Sequence, residues 1–365
     1  MNESGNVKNN TENEAYGFVT VDRIKEYLIP YLDEYVFDEL SPAYLEKAGV
    51  ADILSGVPVP IKKSELTELT NLKITHGMIN VIGCDVDFPH RDAYVEYIKR
   101  SFGDEIIFAI LNEGVEKAVD GDWERACILF RGALLLDPKN QDALYCYGRA
   151  CKDAYDSGEG EEYVGRFKAE SMDVLEKLTI LYPESVRGHY YLAYAYMNLG
   201  LYTKASLTFK EIISIADDAK NGKIVIPEEE VKDLPELIAD VEGWIKSLEV
   251  PIQVEEGYNM VLSGRYPEGI ARLTPFTEDE RYNTWWPLHY YLGVAHKGLG
   301  NYDEAIERFL QVLKLSPSDI MTMEELIDVY SMLGDDEMVH KYTEKIKIVQ
   351  RNREEERAEK DSSYS

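Results

Sequence analysis

Two stretches one hundred residues apart, "HYYLAYAYMNLGLYTKASLTF" from His189 and "HYYLGVAHKGLGNYDEAIERF" from His289, share their His-Tyr-Tyr-Leu start, a glycine, a tyrosine, an alanine and the closing phenylalanine. A chain that writes one helical pattern twice is built from units, and no other feature restricts its fold as strongly. The same residue types recur around Gly121 as Trp123, Ala126, Phe130, Ala133 and Pro138. They run from Gly200 through Tyr202, Ala205, Phe209 and Ile212, and from Gly300 through Tyr302, Ala305, Phe309, Val312 and Pro317. Each position has a physical reason. Glycine takes the turn, where φ is positive. Small residues let antiparallel helices approach closely, and the aromatic fills the space between them. Proline precedes the next helix, where its missing N–H costs nothing.

At these residues the sequence resembles the tetratricopeptide repeat family, whose unit is a 34-residue helix-turn-helix, and Gly300 to Gly334 is one such interval. The resemblance implies an all-α, right-handed superhelical solenoid. Helix pairs are predicted at 107–140, 141–185, 186–219, 250–285, 286–319 and 320–349. Pro138 to Pro183 spans 45 residues, so the second unit carries about eleven extra, assigned to a lengthened loop or helix start in "DAYDSGEGEEYVGRF". One hundred is not a multiple of 34, and Pro227 followed by three glutamates signals an additional helix near 228–248.

Residues 18–105 lack the repeat and are expected to form a mainly helical cap over the first unit, because terminal units of a solenoid need covering. "VDRIKEYLIPYLDEYVFDEL" has helical periodicity with a kink at Ile29-Pro30, and "LSGVPVPIKKSELTELTNL" reads as a proline-containing linker followed by a helix capped by Ser64. "HGMINVIGCDVDFPHRD" is compatible with a buried helix ending at Gly83 or with a strand. Residues 1–17 form a polar tail expected to be disordered, and 350–365 a charged one; neither reads as a secretory signal or a membrane span.

The chain has 365 residues, with Lys and Arg totalling 39 against 68 Asp and Glu, a net charge of −29. That balance repels phosphate backbones, so nucleic acid is excluded as a partner, and with no apolar span no membrane partner is expected. It favours basic partners. Cys84, Cys127, Cys146 and Cys151 lack CxxC spacing and suit buried thiols in a reducing, cytoplasmic setting.

Candidates for chemistry are few. Cys84, Asp85, Asp87 and His90 share one loop but lack a recognised metal-ligand spacing, so a turn shaped by Asp and Pro is the simpler reading. His289 and His296 lie on one helical face about 10 Å apart, too far for one ion. His189 and His289 fall where the family places a large packing residue. No phosphate-loop, nucleophile-elbow or HExxH pattern is present. No catalytic residue, metal or cofactor is assigned, and the chain is read as a non-enzymatic scaffold.

The resemblance implies that the first helix of each pair lines a concave groove. Register places Tyr145, Arg149, Tyr190, Tyr194, Tyr258 and Tyr290 on that face, with Phe108, Leu111 and Val115 at its amino-terminal end. Tyrosine combines contact area, low entropy loss and a hydroxyl, which suits recognition of a partner's peptide or helix. The competing reading packs these tyrosines against neighbouring helices. Arg149 and Lys152 are the clear basic pair on the face, whereas Glu324 and Asp328 occupy the last unit's share, which disfavours capture of a terminal carboxylate. A second function, self-assembly as a homo-oligomer, would use the adjacent Trp285 and Trp286, which point to different sides.

Overall fold

The chain, in a computed structural model, is described over residues 22–66 and 70–363. The amino-terminal tail expected at 1–17 lies outside the described residues. Small elements come first: α1 (Lys25–Leu28), β1 (Tyr35–Glu39), α2 (Pro42–Ala48), α3 (Ala51–Leu54) and β2 (Pro58–Lys62). Two longer helices follow, α4 (Asn71–Cys84) and α5 (Arg91–Phe102).

This region departs from its sequence reading in three places. The helix expected through "VDRIKEYLIPYLDEYVFDEL" tightens into a 3₁₀ turn at Ile29–Glu34, with Pro30 at its start, and then becomes strand β1. Tyr35, Val36 and Phe37 have the aromatic and β-branched side chains that suit a pleated ribbon. The supposed linker supplies the second strand: β2 pairs antiparallel with β1, Tyr35 opposite Lys62 and Glu39 opposite Pro58. A two-stranded ribbon consists of edges alone, so prolines 58 and 60 are tolerated there. Ser64 sits within a short 3₁₀ turn, and the cap of α4 is Thr70, which accepts from the Lys73 amide. "HGMINVIGC" belongs to that helix, which runs through Cys84.

Helix pairs then succeed one another. They are α6 (Glu105–Val119) with α7 (Trp123–Leu136), α8 (Gln141–Ser157) with α9 (Glu161–Leu181), and α10 (Val186–Asn198) with α11 (Tyr202–Lys220). A single helix, α12 (Glu228–Ser247), intervenes before α13 (Glu249–Leu262) with α14 (Tyr266–Leu273), α15 (Trp286–Gly298) with α16 (Tyr302–Leu315), and α17 (Ile320–Leu333) with α18 (Asp336–Ser363). Apart from the ribbon, every regular element among the described residues is helical. The residues divide into two compact units, one ending at Gly243 and one starting at Trp244, so the boundary falls within α12.

Local chemistry explains each pair. Turn glycines Gly200 and Gly300 sit at φ 72° and 76°, where any side chain would be strained. After three of the pairs a proline is followed two residues later by the cap of the next helix: Asn140 accepts from the Ala143 amide, Ser185 from Gly188 and Asp319 from Thr322. Proline therefore sets the turn and the polar residue beyond it starts the helix. Close approach within pairs is visible at Gly293, where a Cβ would lie 2.6 Å from the Phe309 ring. The extra residues of the second unit lengthen its helices, to 17 and 21 residues, instead of its connection.

In the first unit α7 is enclosed on all sides. Ala126 through Ala133 are buried without interruption, and α4 packs along it, adding Leu129, Ala133 and Leu136 to a core of Ile74, Met78, Ile82 and Tyr94. Ile24 and Leu28 reach a second core around Phe130, Tyr147 and Phe167. Arg131, buried on α7, is paired with Asp22 through both terminal guanidinium nitrogens, so the incoming segment is held by a largely buried ion pair. In the second unit, Phe309, Met323, Leu326 and Tyr342 form one core and Val254, Leu273, Leu288 and Leu292 another.

Candidate functional site

The repeated His-Tyr-Tyr element has a division of labour among its three residues. His189 and His289 are buried, consistent with a packing role: the His189 Nδ1 lies 2.8 Å from the Ser185 carbonyl and the His289 Nε2 2.9 Å from that of Asn283. Each first tyrosine leans on its own second helix, with ring centroids 6.2 Å apart for Tyr190 and Phe209 and 6.0 Å for Tyr290 and Phe309. Each second tyrosine reaches back to the preceding pair. Tyr191 meets Tyr145 edge-on at 5.7 Å, and Tyr291 stacks on Tyr258 at 5.1 Å. Tyr191 and Tyr291 thus join the residues that register picked out, and the repeated "HYY" itself carried the signal.

In the first unit the network runs on. Tyr190 and Tyr194, one turn apart, lie at 4.9 Å with hydroxyls 3.2 Å from each other. The Arg149 guanidinium sits 5.5 Å above Tyr191, a cation–π contact at an exposed position. The Tyr190 hydroxyl donates to Asp240 of α12 at 2.7 Å. Burial, then the hydrogen bonds of Tyr194 and Asp240, push the Tyr190 phenol well above its usual range. Burial also pushes Tyr145 up to about 12. Lys152 turns to Asp156 at 2.6 Å and takes no part.

The second unit closes its network differently. Trp286 meets Tyr290 edge-on at 6.3 Å, and the Tyr290 hydroxyl donates weakly to Glu325 of α17 at 3.4 Å. Glu325 also accepts from Lys297 at 2.7 Å, and Lys297 donates to Asp328 at 2.8 Å. Burial, followed by the Glu325 charge, raises the Tyr290 phenol to about 12. Register named Glu324 for this face; Glu325, one residue on, is the one that makes the contact, and Glu324 is exposed.

Thus Tyr145, Arg149, Tyr190 and Tyr194 come together in the first unit, and Tyr258 and Tyr290 in the second. All five tyrosines are half-buried. Each ring packs against a neighbouring helix and leaves part of its surface open.

The loop at 84–90 is accounted for by packing and turn geometry. Cys84 is fully buried, which pushes its thiol up to about 12. Asp85 accepts from Lys25 at 2.6 Å and from the Asp87 amide, and Phe88 stacks between Phe37 and Tyr94. Among the described residues no three His, Cys, Asp or Glu side chains form a metal-binding group.

Residues 186–218 and 286–319, the two stretches that begin just before the paired "HYYL", each match the tetratricopeptide repeat. A TPR repeat-containing protein of Methanocaldococcus jannaschii is 24% identical over 258 residues, covering 66% of this chain; the match spans 42% of that relative's length. Solved structures of MamA are also similar. One from Desulfovibrio magneticus RS-1 is 13% identical over 67% of this chain and 96% of its own, with a TM-score of 0.26. Another is 18% identical over 57% and 97%, with a TM-score of 0.30. Likeness at that level bears on neither partner nor process. No helix among the described residues is long and apolar enough to cross a membrane.

Proposed function

Because the chain is a tetratricopeptide repeat protein, we propose that it works without catalysis, as a scaffold that holds a peptide or helix of another protein against the first helices of its pairs. One observation carries this reading: in each unit a chain of half-buried tyrosines links successive first helices and keeps ring surface open to solvent. Partly exposed aromatic rings held by their neighbours offer contact area with little entropy left to lose. Arg149 adds a charged, exposed contact beside Tyr191 in the first unit. Glu324 and Asp328, exposed on α17, together with the net charge of −29, favour basic partners. The four thiols are free, in keeping with a reducing, cytoplasmic setting.

Co-purification from the native cell tests this reading, comparing the wild-type chain with Tyr190→Ala/Tyr194→Ala/Tyr290→Ala and, because truncated rings loosen packing, with the surface substitution Arg149→Glu. Loss of the same partner from both variants, each still helical by circular dichroism, is the expected result. Equal recovery from all three proteins would sink it.

A further inference from the structure

The β-ribbon has one closed edge and one open edge. In an antiparallel pair only alternate residues exchange bonds with the partner strand, and the residues between them turn their N–H and C=O groups outward. Proline has no N–H, so Phe37–Pro60 and Glu39–Pro58 cannot be the bonded pairs. The bonds therefore run through Val36–Ile61 and Asp38–Val59, and the outward residues are Tyr35, Phe37 and Glu39 on β1 and Pro58, Pro60 and Lys62 on β2. The outer edge of β2 is closed. Its prolines offer no donor, the Pro58 carbonyl accepts from the Tyr94 hydroxyl of α5 at 2.6 Å, and the Pro60 carbonyl would lie 2.9 Å from a Cβ on Gly77 of α4. On β1 the Tyr35 amide is bonded to the Leu32 carbonyl and the Glu39 amide to the Asp38 carboxylate at 2.9 Å. The Phe37 amide and carbonyl have no partner among the described residues. Val36 through Glu39 are exposed, while the buried Tyr35 and the Phe37 ring, stacked 5.9 Å from Phe88, hold the strand in place. A fixed, unpaired edge is a template for another strand.

Charge says which strand. Asp38 and Glu39 place two exposed carboxylates at the end of β1. A second copy of a chain carrying −29 would bring its own acids to this edge, so like charge blunts it against self-pairing and leaves it open to a basic segment. We propose that the outer edge of β1 takes an extended segment of another protein as a third strand, with β-branched or aromatic residues beside Val36 and Phe37 and Lys or Arg beside Asp38 and Glu39. The added strand exchanges main-chain bonds with Phe37, and its side chains set the choice of partner. The site lies outside the helix pairs and stands whether or not the tyrosine-lined helices hold a partner of their own.

The test uses the full chain and a labelled synthetic peptide of about eight residues that alternates valine with lysine, beside a companion with glutamate for lysine. Fluorescence anisotropy at about 0.15 M salt limits non-specific attraction. The basic peptide is expected to bind at least about tenfold tighter than the acidic one. Phe37→Pro removes the outward N–H at an edge position where proline is tolerated, and should weaken binding about tenfold. Phe37→Leu keeps the amide and should stay within about threefold of the wild type, which separates main-chain pairing from loss of the ring. Thermal melting checks that both variants fold. With the phenylalanine amides alone isotope-labelled, exchange of the Phe37 amide, identified by its loss in Phe37→Leu, should slow at least about tenfold when the basic peptide saturates the chain. That rate decides the matter if Phe37→Pro does not fold. Absence of binding, wild-type affinity in a folded Phe37→Pro, or an unchanged Phe37 exchange rate overturns the proposal. So does a concentration-dependent dimer, seen by sedimentation, that Phe37→Pro abolishes, since that would make the occupant a second copy.

Discussion

The two "HYYL" helices, α10 and α15, start from the same letters and reach different ends. Both place a first tyrosine on a phenylalanine and a second on the tyrosine of the preceding pair. In α15 the next helix is another repeat, and Lys297 locks its Glu325 and Asp328 in place. In α10 the residue at Lys297's position is Met197, and the acid meeting the tyrosine comes from the inserted α12, which carries Pro235 in its interior. The repeat pattern therefore fixes how rings pack within and backward along the array. What closes the forward side is decided by one position outside the motif and by what the chain places next.

Deleting the shared feature should have the largest effect and should treat the two units alike. Phe209 and Phe309 are fully buried, so Phe209→Ala and Phe309→Ala should each cost about 3–5 kcal/mol, measured by denaturant unfolding. Hydrogen exchange should show the added opening in the mutated unit first; a much smaller cost at one of them would break the equivalence. Next comes the feature the units do not share. Lys297→Met, which gives α15 the residue of α10, should destabilise by about 1 kcal/mol, a figure kept low because Lys297 and Glu325 remain about one-fifth exposed. The reverse change, Met197→Lys, should bring no matching gain, and a gain of similar size would mean that α12 closes its unit as a repeat helix does.

The tyrosine hydroxyls should separate the units again, more weakly. Tyr190→Phe removes a 2.7 Å bond to a carboxylate and should cost about 0.5–1 kcal/mol, whereas Tyr290→Phe removes a 3.4 Å bond and should cost a few tenths at about neutral pH. Alkaline titration gives the finest distinction. An unfolded tyrosine ionises near 10, and burial raises Tyr290 and Tyr145 to about 12, so the folded state holds its protons longer. Stability is then full below about pH 10 and falls as pH rises toward 12, and Tyr290→Phe should flatten that fall. An unchanged slope in this variant would place the titration elsewhere.

Much of the helical pattern could be read from residue types alone. Gly-aromatic-small-aromatic-proline encodes a turn, a close approach and a restart, each of which is a local demand. The amino-terminal region was less legible because its decisive contacts are distant. Tyr35 pairs with Lys62 and Asp22 with Arg131, and no periodicity within "YVFDE" or "PVPIK" announces that partner. The ring and carboxylate contacts along the first helices were legible to within one position. Register named Tyr190 and Glu324, but a helix turns by about 100° per residue, so the neighbours Tyr191 and Glu325 make the contacts to Tyr145 and to Tyr290. Asp240 was out of reach, since fifty residues and an irregular connection separate it from Tyr190.

Site-specific photo-crosslinking in the native cell tests most directly the claim that the tyrosine-lined helices hold a partner. A photoreactive phenylalanine analogue would stand in turn at Arg149 on α8, at Tyr290 on α15 and at Leu207, an exposed position on the second helix α11. The expected result is a shared protein adduct from Arg149 and Tyr290 with none from Leu207. Adducts from Leu207 alone would contradict it.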